Sequence, residues 1–204
     1  MSNTIDILKI YFHIKNKLEN SPEVKGFFYH GWMHVKSVYD AVFYLGRLEN
    51  VDDEDFEELK IAALYHDTGY TTGKAENHEY QSVTIALKEL PSFGIDNQRI
   101  SHICRLIVST VPEVRPAGLL EEIMHDADLE YLGRDYYPYV SELLRREKSV
   151  LHSVWRVEQL SFLHRHRFFT TSAQNLFDDQ KEINIRKLED QIRQDKDIQE
   201  RDVK

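Results

Sequence analysis

Apolar residues recur along this chain at intervals of three and four, and no segment alternates convincingly at two. The stripe His34, Val38, Ala41, Leu45 and Leu48 advances by four, three, four and three residues, the repeat of one helix face. Similar stripes predict helices over about 4–18, closed by Asn20-Ser21-Pro22, and over about 30–48. A third begins within Asp52-Asp53-Glu54-Asp55, where acidic residues suit a helix N-terminus, and carries Phe56, Leu59, Ala63 and His66 on one face. Gly69 and Gly73 then open a loop. Further helices are expected over about 76–90, ending at Pro91, 97–110 before Pro112, and 117–131, stopped by Gly133. The remaining segments are 137–146, 149–166 and 172–177. The 8 glycines and 5 prolines fall between the periodic segments, as expected of short loops joining helices. The fold class is all-α, a single-domain helical bundle spanning 1–178. From Asp178 onward Ile183, Ile185, Leu188, Ile192 and Ile198 are scattered among charges. Residues 179–204 therefore read as a charged C-terminal helix or tail, on the surface or in a homodimer contact.

At 204 residues the chain is long enough for a full core. Its 41% apolar and 30% charged residues are ordinary for a globular protein. No apolar run approaches a membrane span, and the N-terminus lacks the basic and apolar regions of a signal peptide. The single cysteine, Cys104, excludes an intrachain disulfide and a multi-cysteine metal site, and is expected to be buried as a small hydrophobe. These features point to the cytoplasm. The net charge of −9 argues against a long nucleic acid as partner. Arg145-Arg146 and His164-Arg165-His166-Arg167 are the densest basic clusters, and short ones.

Ten histidines matter because of where they fall. His34 lies on the apolar stripe of the second helix, and His66 on the inward face of the third, with Asp67 beside it. Asp128 stands one turn after Met124 and one before Leu132, so it too can face inward. A lone histidine in such a place is usually a hydrogen-bonded core residue. A buried carboxylate, however, is costly without a cation. Four ligand-type residues on three separate helices favour a metal site. Imidazoles with carboxylates suit Mn, Fe, Co, Ni or Zn, and the set leaves coordination positions open, as catalytic sites do.

The order His…His-Asp…Asp, with Tyr29-His30-Gly31-Trp32-Met33-His34 upstream, resembles the HD superfamily of helical metal-dependent phosphohydrolases. The segments 126–134 and 162–173 look like a bacterial subgroup of it, so the resemblance covers about three quarters of the chain. It implies His34 as the first ligand, His66 and Asp67 as the defining pair, and Asp128 as the distal aspartate, within Asp126-Ala127-Asp128-Leu129. Asp126 is the rival. Two residues apart on a helix differ by about 200°, so only one of them can aim at the metal. The resemblance at Ala127-Asp128-Leu129 favours Asp128 and leaves Asp126 behind the ligands. His30, one turn before His34, inherits the part of proton donor to the leaving oxygen, with Asp67 acting on the attacking water; a helix-start capping function is the alternative. His78 resembles the first extra histidine of two-metal relatives, but serine stands at Ser109, where a second is expected, and His102 lies two turns earlier. One divalent metal is therefore favoured over two, with His78 near substrate or behind the ligands. Lys74 and Arg134 are candidate phosphate contacts, with surface solvation as the alternative; Tyr65, Tyr70 and His166 are weaker pocket candidates.

The resemblance implies a phosphohydrolase acting on a small phosphorylated substrate, with a nucleotide or cyclic nucleotide as the family-level expectation. Neither a Gly-rich phosphate loop nor the glycine-tyrosine-proline signature of cyclic-di-nucleotide relatives is present. A non-catalytic nucleotide sensor and a di-iron lyase or oxygenase are the alternatives.

Overall fold

The computed structural model describes residues 5–202, with side chains to residue 195. Every regular element among the described residues is helical, as the sequence predicts. The chain folds as two compact units, Met1–Asp128 and Leu129–Lys204.

The first unit contains α1 (Ile7–Asn20), α2 (Trp32–Leu48), α3 (Asp53–Tyr65), α4 (His78–Glu89), α5 (Asn97–Val108) and α6 (Leu119–Asp128). Aspartates start three of them: Asp6 accepts from the Lys9 amide, Asp52 from Glu54 and Asp55, and Asp96 from Gln98 and Arg99, each satisfying amides that lack an intrahelical partner. The α1 helix begins after its cap, Asp6; Thr4, from which the sequence reading starts it, lies outside the described residues.

The α3 helix is the axis of this unit, packed by α1, α2, α4, α5 and α6. Ile61, Ala62, Ala63, Leu64 and Tyr65 are all wholly buried, so its C-terminal half is apolar all round rather than on one face. A helix surrounded on every side must be, and its end delivers His66 and Asp67 into the interior. On α2 the inward stripe holds through Leu45, but Leu48, its last residue, is exposed. Cys104 is half-buried rather than enclosed.

The second unit contains a short 3-10 turn (Glu130–Gly133), α7 (Tyr137–Lys148), α8 (His152–Arg165) and α9 (Thr171–Asp202). The helix expected over 172–177 instead runs unbroken through Asp178 to Asp202. Its inward face reads Ala173, Phe177, Lys181, Asn184, Ile185 and Leu188, all buried. Two polar residues interrupt the apolar pattern there. Lys181 Nζ donates to the His166 carbonyl at 2.9 Å, and Asn184 Nδ2 donates to the carbonyls of Leu132 and Arg134 at 2.9 and 2.8 Å. The side chain of Ile198 lies outside the described ones. Among the described residues no helix is long and apolar enough to cross a membrane.

Candidate metal centre

The end of α3 meets the start of α4 through a single glycine. After Tyr65 the chain turns into a 3-10 segment (Thr68–Thr72), where Thr68 Oγ1 donates back to the Tyr65 carbonyl at 2.8 Å. The Gly69 amide donates to Ser82 Oγ at 2.8 Å, and a Cβ at Gly69 would stand 1.9 Å from the His78 carbonyl oxygen. Only glycine permits that approach. It sets His78, the first residue of α4, against Asp67: His78 Nε2 lies 3.3 Å from Asp67 Oδ1. Ser82 and the closeness of residues 69 and 78 carried no sequence signal beyond the glycine itself.

Four side chains from α2, the end of α3 and the end of α6 converge. His34 Nε2 lies 3.1 Å from Asp128 Oδ1 and 3.2 Å from His66 Nε2, and His66 Nε2 lies 3.4 Å from the same Asp128 oxygen. Asp67 flanks both rings, with Oδ2 3.2 Å from His34 Nε2 and Oδ1 3.5 Å from His66 Nε2. Two donors each about 2.1 Å from one ion stand about 3.0 Å apart at a right angle and about 3.4 Å apart at a tetrahedral angle. The separations are therefore those of ligands around a single cation. Among the described residues, His34, His66 and Asp128 form the compact set of metal-type donors.

The donor chemistry fits as well. His66 Nδ1 donates to the Ala63 carbonyl at 2.8 Å, leaving a lone pair on Nε2. His78 Nδ1 does the same with Ala75 at 2.9 Å. Buried Asp67 Oδ2 faces His34 Nε2 at 3.2 Å but accepts no well-aligned hydrogen bond, an arrangement that a shared cation would satisfy.

Without a metal, protons take that place. Burial opposes charge on His34, but Asp128 and Asp67 outweigh it and push its pKa up to about 10. His78 is likewise opposed by burial and raised to about 9, chiefly by Asp67. Burial pushes the Asp67 and Asp128 carboxyls up, yet the facing imidazoles hold both well below the usual carboxylate range.

The remaining sequence candidates are placed as follows. Gly31 has extended backbone and caps α2, which begins at Trp32, so His30 precedes the helix rather than sharing its face. Its ring instead stacks on Tyr70, centroids 4.5 Å apart and nearly parallel, and lies 5.7 Å from the His34 ring. Tyr70 also packs against His78 at 4.3 Å, so the residue flagged only weakly in the sequence stands between both outer histidines. Asp126 is wholly buried on α6, while it is Asp128 whose oxygen meets the imidazoles. Ser109 is buried with its hydroxyl donated to the Leu106 carbonyl. The Tyr65 hydroxyl donates to Glu89 at 3.3 Å. Lys74 is exposed on the loop after Gly73. In the second unit Arg134 pairs with Glu130 and lies 4.6 Å from the Phe177 ring centre, and His166 is buried beside Lys181.

No protein-family model and no curated protein matches the chain. Among solved structures it is similar to a predicted HD superfamily hydrolase from an uncultured Thermotogales bacterium, with TM-score 0.62 and 17% identity over 92% of this chain and 91% of that one. It is also similar to Bacillus subtilis YpgQ, solved in complex with ADP, with TM-score 0.65 and 21% identity over 91% and 96% of the two chains. This chain has the fold of the HD superfamily.

Proposed function

We propose that this protein is a metal-dependent phosphohydrolase that cleaves a phosphate ester at the centre formed by His34, His66, Asp67 and Asp128. The observation that carries the reading is the buried gathering of two imidazole nitrogens and two carboxylates at ligand-to-ligand separations, with Asp67 Oδ2 left without a well-aligned hydrogen bond. Bound there, one divalent transition metal would supply Lewis acidity, polarising a phosphoryl oxygen and acidifying a water near neutral pH.

The chain's own groups divide the rest of the work. Asp67 faces both the imidazole pair and His78, and is the carboxylate placed to take the proton of the attacking water. His30, oriented by its stack on Tyr70, donates a proton to the departing oxygen. His78 offers a third imidazole at Asp67 and would contact phosphoryl oxygens. Lys74, on the exposed loop, can reach toward a bound phosphate only from solvent, whereas Arg134 already has Glu130 as its charge partner. The substrate we expect is a small phosphorylated molecule. The ADP held by the structurally similar YpgQ supports testing nucleotides first.

Elemental analysis of the purified protein, followed by a panel of phosphomonoesters, phosphodiesters and nucleotides with Mn, Co, Ni, Mg and Zn, tests the proposal. Metal at about one equivalent and turnover of at least one ester are expected, both lost in His66→Ala and in Asp67→Ala. Full hydrolysis by His66→Ala, or a metal-loaded protein inert across the panel, would overturn it.

A further inference from the structure

A cavity lies in the first unit, lined by none of the metal-centre residues. Its volume is about 360 Å³, and its wall includes Asp52, Asp55 and Glu58 at the start of α3, His102 and Arg105 on α5, and Glu121 on α6. Asp55 and Glu58 precede His66 by two to three helical turns, roughly 12–16 Å along the α3 axis. The cavity thus lies at the opposite end of the helix that delivers His66 and Asp67.

Four carboxylates and one guanidinium give the wall a negative balance. Two of the acids are already engaged: Asp52 Oδ1 caps α3, and Glu121 Oε2 accepts from the Ala117 amide at 2.8 Å. The other two have unused capacity. The Asp55 carboxylate makes no hydrogen bond among the described residues and is half-buried. Glu58 is 2% exposed. Its Oε1 accepts from Arg99 Nε at 3.0 Å, but its buried Oε2 accepts no hydrogen bond. His102 Nδ1 lies 3.5 Å from Oε2. His102 belongs to the cavity wall and Arg99 does not, so Oε2 is the oxygen on the cavity side. A buried acceptor without a donor is costly to keep, and an acidic cavity supplies the field to attract one.

We propose that this cavity binds a small organic ammonium cation, held by Asp55 and by Glu58 Oε2. A bare metal ion fits less well, because among the described residues the close grouping of metal-type donors is the one at His34, His66 and Asp128. The volume is that of a small-molecule pocket rather than of an ion. An anion would meet four carboxylates against Arg105. This inference does not depend on the phosphohydrolase reading, and its test needs no substrate.

Isothermal titration calorimetry of the full chain with 1,4-diaminobutane at fixed ionic strength is the experiment. Saturable binding is expected, weakened at least tenfold in Glu58→Gln and in Asp55→Asn and unchanged in His66→Ala. Gln keeps an oxygen for Arg99, and circular dichroism establishes that the variants fold; if Glu58→Gln does not, the half-buried Asp55 decides through Asp55→Asn. The absence of saturable heat from 1,4-diaminobutane overturns the proposal, as does equal affinity in Asp55→Asn. An equal loss in His66→Ala would assign the diamine to the metal centre instead. Displacement of the diamine by equimolar manganese in His66→Ala would overturn the choice of an organic cation.

Discussion

Gly69 and the His78 carbonyl occupy adjoining space so closely that a methyl group on residue 69 would overlap the oxygen, at 1.9 Å. This contact joins the His66-Asp67 turn to the first residue of α4. Gly69→Ala must therefore push α4 away or unseat the turn, and either movement separates His78 from Asp67. Overpacking of this kind costs about 1–3 kcal/mol. Urea denaturation should show that loss. The conservative Ser82→Ala, which removes only the acceptor of the Gly69 amide, should cost about 1–3 kcal/mol through an unsatisfied buried donor. Wild-type stability in Gly69→Ala would show that the two segments are not held at this distance.

His30 provides a separation between metal binding and proton transfer. It lies outside the compact donor set, and its ring stacks on Tyr70. His30→Ala should therefore keep wild-type metal content while losing about 10²–10⁴-fold in turnover, the usual worth of a general acid. Elemental analysis and single-turnover kinetics on the same preparation measure both. A variant that loses its metal would make His30 part of the ligand set.

Much of this was legible in the chain itself, for a physical reason. Helical periodicity is local, so the stripe through His34, Val38, Ala41 and Leu45 shows the inward face of α2 without knowledge of its partner. The same logic turned His66 inward, and the helical phase of Asp126 and Asp128 showed that only one of the two could meet the imidazoles. What was not legible depends on contacts between distant segments. The stack of His30 on Tyr70 is set by a loop approaching the start of α2, which no periodicity encodes. Likewise the unbroken α9 was hidden because Lys181 and Asn184 occupy inward positions, and polar residues there break the apolar pattern on which the sequence argument relies. Their bonds to backbone carbonyls explain why the structure tolerates them. The acidic cavity has no sequence signature, because Asp52 and Asp55 read simply as part of a helix start and Glu58 as one more charge on α3.

Acid–base behaviour should differ between the metal-free and metal-loaded protein. In the metal-free chain His34 and His78 have folded pKa values raised to about 10 and about 9, against 6.5 for an ordinary imidazole. Stability from these protonated rings is fully present below about pH 6.5 and is lost as pH rises through the folded values. Asp67 and Asp128 shift downward through the same pairings, so their share is present above about pH 4 and lost as pH falls further. The two descriptions concern one set of contacts and count once. Metal-free protein should thus be destabilised between about pH 6.5 and 10, whereas metal affinity should rise over that range because the ligands must shed protons. Thermal melts with and without manganese across this range check both trends, and a metal-free melting temperature that climbs from pH 6.5 to 9 would contradict them.

Asn184 holds the middle of α9 to the turn after α6 through two carbonyls, those of Leu132 and Arg134. It is 2% exposed, so no solvent replaces it. Replacement by Leu, of similar size, would leave the buried Leu132 carbonyl without this donor, at about 1–3 kcal/mol where no other group can reach, while the part-buried Arg134 carbonyl keeps the Tyr137 amide at 3.2 Å. Asn184→Asp is the sharper variant: its carboxylate would face the same oxygens with no hydrogen to give, and should destabilise more than Leu at neutral pH. Protonation of that carboxyl restores a donor, so Asn184→Asp should recover part of its loss as pH falls toward 5, while Asn184→Leu should not. Hydrogen exchange at residues 132–137 reports the effect locally. Equal protection in wild type and Asn184→Leu would mean that Phe177, packed against Gly133, suffices to hold the helix in place.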